Sequence, residues 1–323
     1  MTITRRVLYG GLLAGGLLVG GCGEASPAAP DDNVVPTTGL YVSQQFAATA
    51  VTTSLNVAYS VRPNAGGQYT SQRTEAVERT QPTLTLRMDI AVPPNATAAS
   101  RQPLLVFVHG GGFIAGDKSD FYPEMESYAR AGYVVATINY RLTNGGGTGG
   151  DSIRTQAVLH ATEDAMNAVR FLRANAARYG IDPTRVVSVG SSAGGAVSLM
   201  LGLQPDDPRA RSDWAGVSAR VNGAVTTGAS LQGASPQIEA LLSFDATDSP
   251  ILLYHAKETD SSSGATWTGS VLPTQQRINS SGNVCTVVPQ PDMTHTVDLS
   301  LGNSYWPPLR EFLFTHLRLA ALR

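Results

Sequence analysis

Charge is scarce in this chain. Only 15% of its 323 residues are Asp, Glu, Lys or Arg, the formal net charge is -2, and no Lys/Arg cluster occurs beyond the extreme N-terminus. A nucleic-acid surface needs clustered cations to neutralise phosphates, so that class of partner is excluded. Cysteine is scarcer still: Cys22 and Cys285 are the only two, which excludes a disulfide framework. Histidines number five, so chemistry that needs an imidazole has few residues to draw on. No internal repeat is evident. What is plentiful is apolar: 42% of the residues are hydrophobic, enough for a large core in one main domain.

The chain opens on Arg5-Arg6, continues through an apolar, glycine-rich stretch from Val7 to Gly21, and reaches Cys22. A charged start followed by an apolar run too short to span a bilayer has the build of an export signal. Val19-Gly20-Gly21-Cys22 resembles a bacterial lipoprotein cleavage box, in which the cysteine becomes the lipidated N-terminus, and Thr4-Arg5-Arg6-Val7-Leu8 weakly resembles a twin-arginine export motif. Residues 1–22 therefore read as a lipoprotein-type signal. Residues 23–38, rich in Ala, Pro, Asp and Gly without periodicity, read as a disordered tether, and 39–323 as the folded domain. The protein is expected outside the cytoplasm, in the cell envelope through a lipid on Cys22 or free in the periplasm or medium.

Two segments, 54–62 and 83–91, alternate apolar and polar residues and predict antiparallel strands, with a turn at Asn64-Ala65-Gly66-Gly67 between them. Runs at 104–108, 133–139, 185–189 and 250–254 are almost continuously apolar, the pattern of parallel strands buried on both faces. The clearest helix is predicted from Ala161 to Tyr179, where Ala161, Ala165, Ala168, Leu172, Ala176 and Tyr179 form one stripe and Gly180 supplies the C-cap. His160 would open it. The stretch from the end of the following helix to Pro250 reads as loop-rich. Strand, helix and strand in alternation predict a doubly wound α/β fold.

Ser192 lies in Gly190-Ser191-Ser192-Ala193-Gly194, directly after the apolar run that ends at Val189. A strand ending in GxSxG and entering a helix holds the central serine on a sharp turn with its hydroxyl exposed. About eighty residues upstream, His109-Gly110-Gly111-Gly112-Phe113 follows another buried-strand pattern. Acyl transfer turns the attacked carbonyl oxygen into an oxyanion, which needs preorganised N–H donors, and a glycine run lets backbone approach it closely. Gly111, Gly112 and Ala193 are the candidate donors. A serine hydroxyl also needs a base and an acid to orient that base. His295, in a loop between the strand-like 283–289 and the C-terminal helix, is the candidate base; His109 and His255 read as loop supports, and His160 and His316 as surface or packing residues.

His109 to Phe113, Gly116-Asp117-Lys118, Asn139-Tyr140-Arg141-Leu142 and the Ser192 elbow together resemble the carboxylesterase branch of the α/β-hydrolases, hormone-sensitive-lipase-like and feruloyl-esterase-like proteins among them. The resemblance covers most of residues 83–320. It implies an α/β-hydrolase fold, a mostly parallel sheet with antiparallel N-terminal strands, and an ester hydrolase without metal or organic cofactor. It gives attack to Ser192, proton transfer to His295, and an acid in the loop after 250–254. Similar hydrolases place an aspartate four residues after a histidine like His255, which falls here on Thr259; a one-residue insertion would bring in Asp260, a deletion Glu258. Asp260 is the first choice and Glu258 the alternative. The resemblance also implies a structural pair of Arg141 with Asp164. No helical cap pattern occurs in 39–82, so no large lid is predicted, and Tyr122 and Trp267 read as core residues that border the site at most. The implied substrate is a small-molecule or polysaccharide ester, and a serine peptidase or a catalytically silent binding module are the competing possibilities.

Overall fold

The computed structural model describes residues 34–322, apart from 73–74, 147–149, 205, 207–211, 232–233 and 292–293. The export signal, Cys22 and the tether up to residue 33 lie outside the described residues. Every element below belongs to the compact unit Val35–Arg323.

The first long strand, β1 (Thr52–Pro63), precedes β2 (Tyr69–Thr70), β3 (Thr83–Val92) and β4 (Gln102–Val108). Helix α1 (Tyr122–Arg130), β5 (Val134–Ile138), β6 (Leu142–Thr143), α2 (Asp151–Ala174) and α3 (Ala176–Tyr179) follow. Then come β7 (Ile181–Ser191), α4 (Ala193–Leu203), β8 (Gly223–Thr227), α5 (Pro236–Glu239) and β9 (Ile251–Ala256). The last elements are α6 (Leu272–Ser280), β10 (Cys285–Gln290) and α7 (Trp306–His316). The main sheet has the order β1-β3-β5-β4-β7-β8-β9-β10, and a small second sheet pairs β2 with β6. β1 and β3 run antiparallel to each other and β3 antiparallel to β5; from β5 onward every pairing is parallel.

Parallel strands joined through helices carry those helices on both faces, and the burial of β4 shows the result. Leu104, Val106 and Val108 point into one apolar cluster with Ala165, Val169 and Leu172 of α2 and Val197 and Leu201 of α4. Leu105 and Phe107 point the other way, onto Met125 and Tyr128 of α1 and Leu309, Phe312 and Leu313 of α7. Each such side chain contributes about 1.5–3 kcal/mol when fully buried. Cys285, on β10, is 2% exposed, and burial alone pushes its thiol up to about 12.

Two sequence expectations need correction. Helix α2 begins at Asp151, ten residues before the predicted start, so His160 lies inside it. Its N-cap is Gly150, which makes no side-chain cap hydrogen bond, and the preceding glycine run carries no start signal. The predicted end is accurate to the turn: Asn175 interrupts the helix, and Gly180 closes α3 in the left-handed conformation at φ 63°. The second correction is β8. Its sequence, Gly-Ala-Val-Thr-Thr, is short and half polar, yet all five residues are buried between β7 and β9. Val225, Thr226 and Thr227 favour a strand, and the neighbours on both sides bury the short run within the sheet. In 39–82 the described residues form β1, β2 and short 3₁₀ turns, with no α-helix.

Candidate active site

Ser192 occupies the turn between β7 and α4. Its backbone, at φ 54° and ψ -119°, is a conformation that L-residues seldom adopt. What holds it is crowding from three sides. The Ser192 N–H donates to Thr227 O at 2.8 Å, the carbonyl of Ser192 accepts from Ala196 N–H at 3.0 Å, and a side chain on Gly190 or Gly194 would collide with Gly194 backbone or with Val108 O respectively. Only glycines on either side of the elbow let strand and helix come this close.

The structure brings Ser192 together with His295 and Asp260. Ser192 Oγ lies 2.7 Å from His295 Nε2, and His295 Nδ1 lies 2.7 Å from Asp260 Oδ2 and 2.9 Å from Oδ1. An ionised carboxylate only accepts, so Nδ1 carries the proton and donates it to Asp260; Nε2 is then left to accept the Ser192 O–H. The imidazole is half-buried, with 22% of its side chain exposed, whereas the Asp260 side chain is fully buried.

Asp260 follows β9 in a tight loop. Its Oδ1 accepts from Ser262 N–H at 2.9 Å, Ser263 N–H at 2.6 Å and Ser263 Oγ–H at 2.9 Å. Burial pushes its carboxyl up, but the donors from Ser263, His295 and Ser262 outweigh it and hold the group below the usual carboxylate range. It therefore stays charged under His295. Glu258, two residues earlier, is exposed; its backbone carbonyl receives Trp267 N–H and its side chain takes no part in the cluster.

Thr227 and Gly228, at the end of β8, are the contribution that sequence reasoning missed. The Thr227 carbonyl holds the elbow, while its hydroxyl accepts from Val297 N–H at 2.9 Å, two residues past His295. A side chain on Gly228 would collide with His295 O. One strand end thus fixes both Ser192 and the imidazole. The signal was present as Thr-Thr-Gly, but it becomes meaningful only once 223–227 is recognised as a strand.

The glycine loop after β4 lies against the elbow: a Cβ on Gly110 would stand 3.1 Å from Ser192 Cβ. Gly111 and Gly112 take φ 103° and 60°, and at Gly111 a side chain would drive into Ala115 O. His109 anchors the loop. It is fully buried, its Nδ1 donates to Gly110 O at 2.8 Å, and its ring stacks on Tyr140 at 4.4 Å. Tyr140 in turn donates its hydroxyl to His109 O at 2.9 Å. Beyond the loop, Lys118 N–H donates to Asn139 Oδ1 at 2.6 Å, Asn139 Nδ2 donates to Asp117 at 3.0 Å, and Lys118 Nζ meets buried Asp89 at 2.8 Å. Tyr122 donates its hydroxyl to the same Asp89 at 2.6 Å, and Trp267 packs on the core. Arg141 grips Asp164 of α2 through Nε and Nη2 at 2.9 and 2.8 Å and also meets Glu163 at 2.8 Å. These links tie the glycine loop to β3, β5 and α2.

A cavity of about 170 Å³ adjoins the glycine loop and α4, lined by Phe113, Arg154, Val158, Ala196, Leu231 and Ile238 among others. On the next stripe of α2 a groove is lined by Asp151, Ser152, Thr155, Gln156, Leu159, His160 and Gln237. Among the described residues no cluster of His, Cys, Asp and Glu could hold a metal ion, and no helix is long and apolar enough to cross a membrane.

Comparison with known proteins agrees with this architecture. The BD-FAE family model matches residues 88–276, more than half of the chain. Carboxylesterase 1C of Rattus norvegicus is 37% identical over 122 residues, 37% of this chain and 22% of that protein. Probable carboxylic ester hydrolase LipM of Mycobacterium tuberculosis is 30% identical over 139 residues, 43% of this chain and 30% of its own length. The chain thus spans under a third of either curated relative. The native structure of esterase Est2 from Thermogutta terrifontis superposes with a TM-score of 0.55 at 20% identity, covering 80% of this chain and 93% of that one, a likeness of fold. With the family match running from the end of β3 into α6, through both the glycine loop and the elbow, the chain belongs to the BD-FAE family, on the carboxylesterase branch of the α/β-hydrolases.

Proposed function

We propose that this protein hydrolyses carboxylic esters through an acyl-enzyme on Ser192. The observation that carries this reading is the continuous chain Ser192 Oγ, His295 and Asp260, with 2.7 Å at each link. In the first half-reaction Ser192 Oγ attacks the ester carbonyl while His295 Nε2 takes its proton, and Asp260 stabilises the imidazolium that forms. The proton passes from Nε2 to the departing alkoxide as the acyl–serine ester is left. Water, deprotonated by the same Nε2, then attacks that ester and releases the acid and free Ser192.

Charge that develops on the carbonyl oxygen falls to the N–H groups of Gly111, Gly112 and Ala193. The positive φ of both glycines, the contact of Gly110 with Ser192 and the position of Ala193 at the start of α4, where N–H groups have no helical partner, support this assignment. Each such donor is worth about 10²–10³ in kcat.

The apolar cavity between Phe113 and Ala196 takes the acyl group. An apolar cavity of about 150 Å³ holds one benzene-sized molecule, so 170 Å³ suits a short acyl chain rather than a fatty one. The neighbouring groove, with its hydroxyl, amide and carboxylate groups, suits a polyhydroxylated alcohol and supports a saccharide ester as substrate. Residues 1–22 serve as a lipoprotein-type export signal with Cys22 as the lipidated residue; mass spectrometry of the mature N-terminus tests this, and an unmodified Cys22 would refute the anchor.

The deciding experiment for the reaction is hydrolysis of p-nitrophenyl esters from acetate to decanoate by the wild type and Ser192→Ala. Activity concentrated at short acyl lengths and abolished in the variant is expected, together with covalent capture of Ser192 by a fluorophosphonate. Undiminished turnover by Ser192→Ala would sink the reading.

A further inference from the structure

The end of the sheet opposite Ser192 carries a second polar pocket, of about 360 Å³, lined by Arg173, Arg220, Arg318, Thr184, Ser218 and Asn222. Thr184 stands near the start of β7 and Ser191 at its end, so the rise of a strand separates this pocket from the elbow by about 23 Å. It belongs to no part of the reaction described above.

Its charge is the informative feature. Three arginines line the pocket and, among the described residues, no Asp or Glu does. Acids in the surrounding layer are engaged elsewhere: Asp182 pairs with Arg185, and Asp206 accepts from Ser218 Oγ and Ala219 N–H and approaches Arg170 at 3.9 Å. Asp245 lies beyond Thr247, where it accepts the Thr247 hydroxyl and N–H and feels Arg220. Two of the three arginines are also held in place. Arg173 Nε donates to Pro183 O at 3.0 Å and its Nη1 to Ser218 O at 2.8 Å, while Arg220 Nη1 donates to Thr247 O. Burial draws the Arg173 guanidinium down to about 10, with Asp206 opposing this and Arg170 adding to it. Arg173 is therefore a cation whose surroundings do not fully compensate it. Arg173 Nη2, the Arg318 fork and the Nδ2–H groups of Asn222, whose Oδ1 accepts from Val186 N–H, offer the multiply donating geometry that matches an oxyanion.

We propose that this pocket is a binding site for a phosphate group, formed by Arg173, Arg220 and Arg318 at the end of the sheet remote from Ser192. A phosphate supplies the missing charge and enough acceptor oxygens to meet several guanidinium donors at once. Phosphate could be presented as a free anion or as a lipid headgroup, and the test separates the two.

Isothermal titration of the full-length protein with inorganic phosphate, at ionic strength held constant with sodium chloride, should show saturable binding near one equivalent. Arg220→Gln combined with Arg318→Gln should weaken it at least tenfold and leave hydrolysis of p-nitrophenyl butyrate unchanged, which shows that the fold survives. Arg173→Lys, which keeps the charge but loses the fork, should weaken it as well. Sedimentation with vesicles of phosphatidylglycerol, against vesicles of phosphatidylcholine, identifies the source. Capture by phosphatidylglycerol alone, competed by inorganic phosphate, supports the site with a headgroup as ligand; phosphate binding without capture supports it with a soluble ligand. Absence of saturable heat above the chloride control, or phosphate binding by the double variant equal to wild type, overturns the proposal.

Discussion

Changing Asp260 to asparagine preserves the shape of the site while reversing one hydrogen bond, and the structure specifies which. Oδ1 accepts from three donors, Ser262 N–H, Ser263 N–H and Ser263 Oγ–H. The amide oxygen will keep that side, because turning the NH₂ there would set donor against donor three times over. The NH₂ then replaces Oδ2 and faces His295 Nδ1, now 2.7 Å away from a second donor. His295 escapes by carrying its proton on Nε2, and an Nε2–H cannot accept the proton of Ser192. A wrong tautomer of this kind costs about 10⁴ in kcat, equivalent to about 5.4 kcal/mol at 1.36 kcal/mol per decade. KM should change little, since neither group contacts the acyl cavity. The assay is steady-state hydrolysis of p-nitrophenyl butyrate, with circular dichroism to confirm folding. Glu258→Gln is the companion, expected within twofold of wild type because that side chain is exposed and outside the cluster. An Asp260→Asn enzyme with a tenth or more of wild-type kcat, or a Glu258→Gln enzyme that fails as badly, would refute the assignment of the acid.

Asp164→Asn removes the fully buried counter-charge of Arg141 and leaves it only the partly exposed Glu163; breaking a buried pair costs about 3–5 kcal/mol, so urea unfolding should show a loss of up to that size, and a change under 1 kcal/mol would contradict it. Leu231→Trp should fill the acyl cavity and depress kcat/KM for hexanoate at least tenfold more than for acetate, an effect read from the same ester series. The Cys285 thiol, raised to about 12 by burial, should react with an aromatic disulfide only as fast as the domain unfolds; the assay uses residues 39–323, in which it is the single cysteine. Burial also lowers the pKa of His316. A depressed folded-state pKa makes protonation oppose folding, so stability should be intact above about pH 6.5 and decline as pH falls below it, with the decline reduced in His316→Gln.

Which features were legible in the sequence follows from how local their causes are. The buried strands β4, β5, β7 and β9 declared themselves because apolar runs of that length have few other uses, and β1 and β3 because alternation marks a half-buried strand. The Ser192 elbow and the glycine loop were visible because close backbone approach requires glycine within a few residues of the active atom. Helix α2 was only half visible: its later turns carry an apolar stripe, whereas its first turns follow a glycine run that lacks a cap. β8 was not visible, since a five-residue run that ends in two threonines shows neither alternation nor a continuous apolar pattern, and it is the sheet neighbours on both sides that bury it.

The sequence by itself therefore determined the fold class, the strand ends that carry chemistry, and a short slate of residues for each role. Only the tertiary structure brought Asp260 rather than Glu258 to His295, because the contact depends on where a loop of a few residues turns relative to an imidazole 35 positions away, and spacing along a chain does not encode that distance. It also revealed that Thr227 and Gly228 join elbow to histidine loop, and that arginines from the end of α2, the approach to β8 and the chain after α7 meet around one pocket. In each case the contact joins segments far apart in sequence, and it exists only because the core has first packed the sheet and its helices into register.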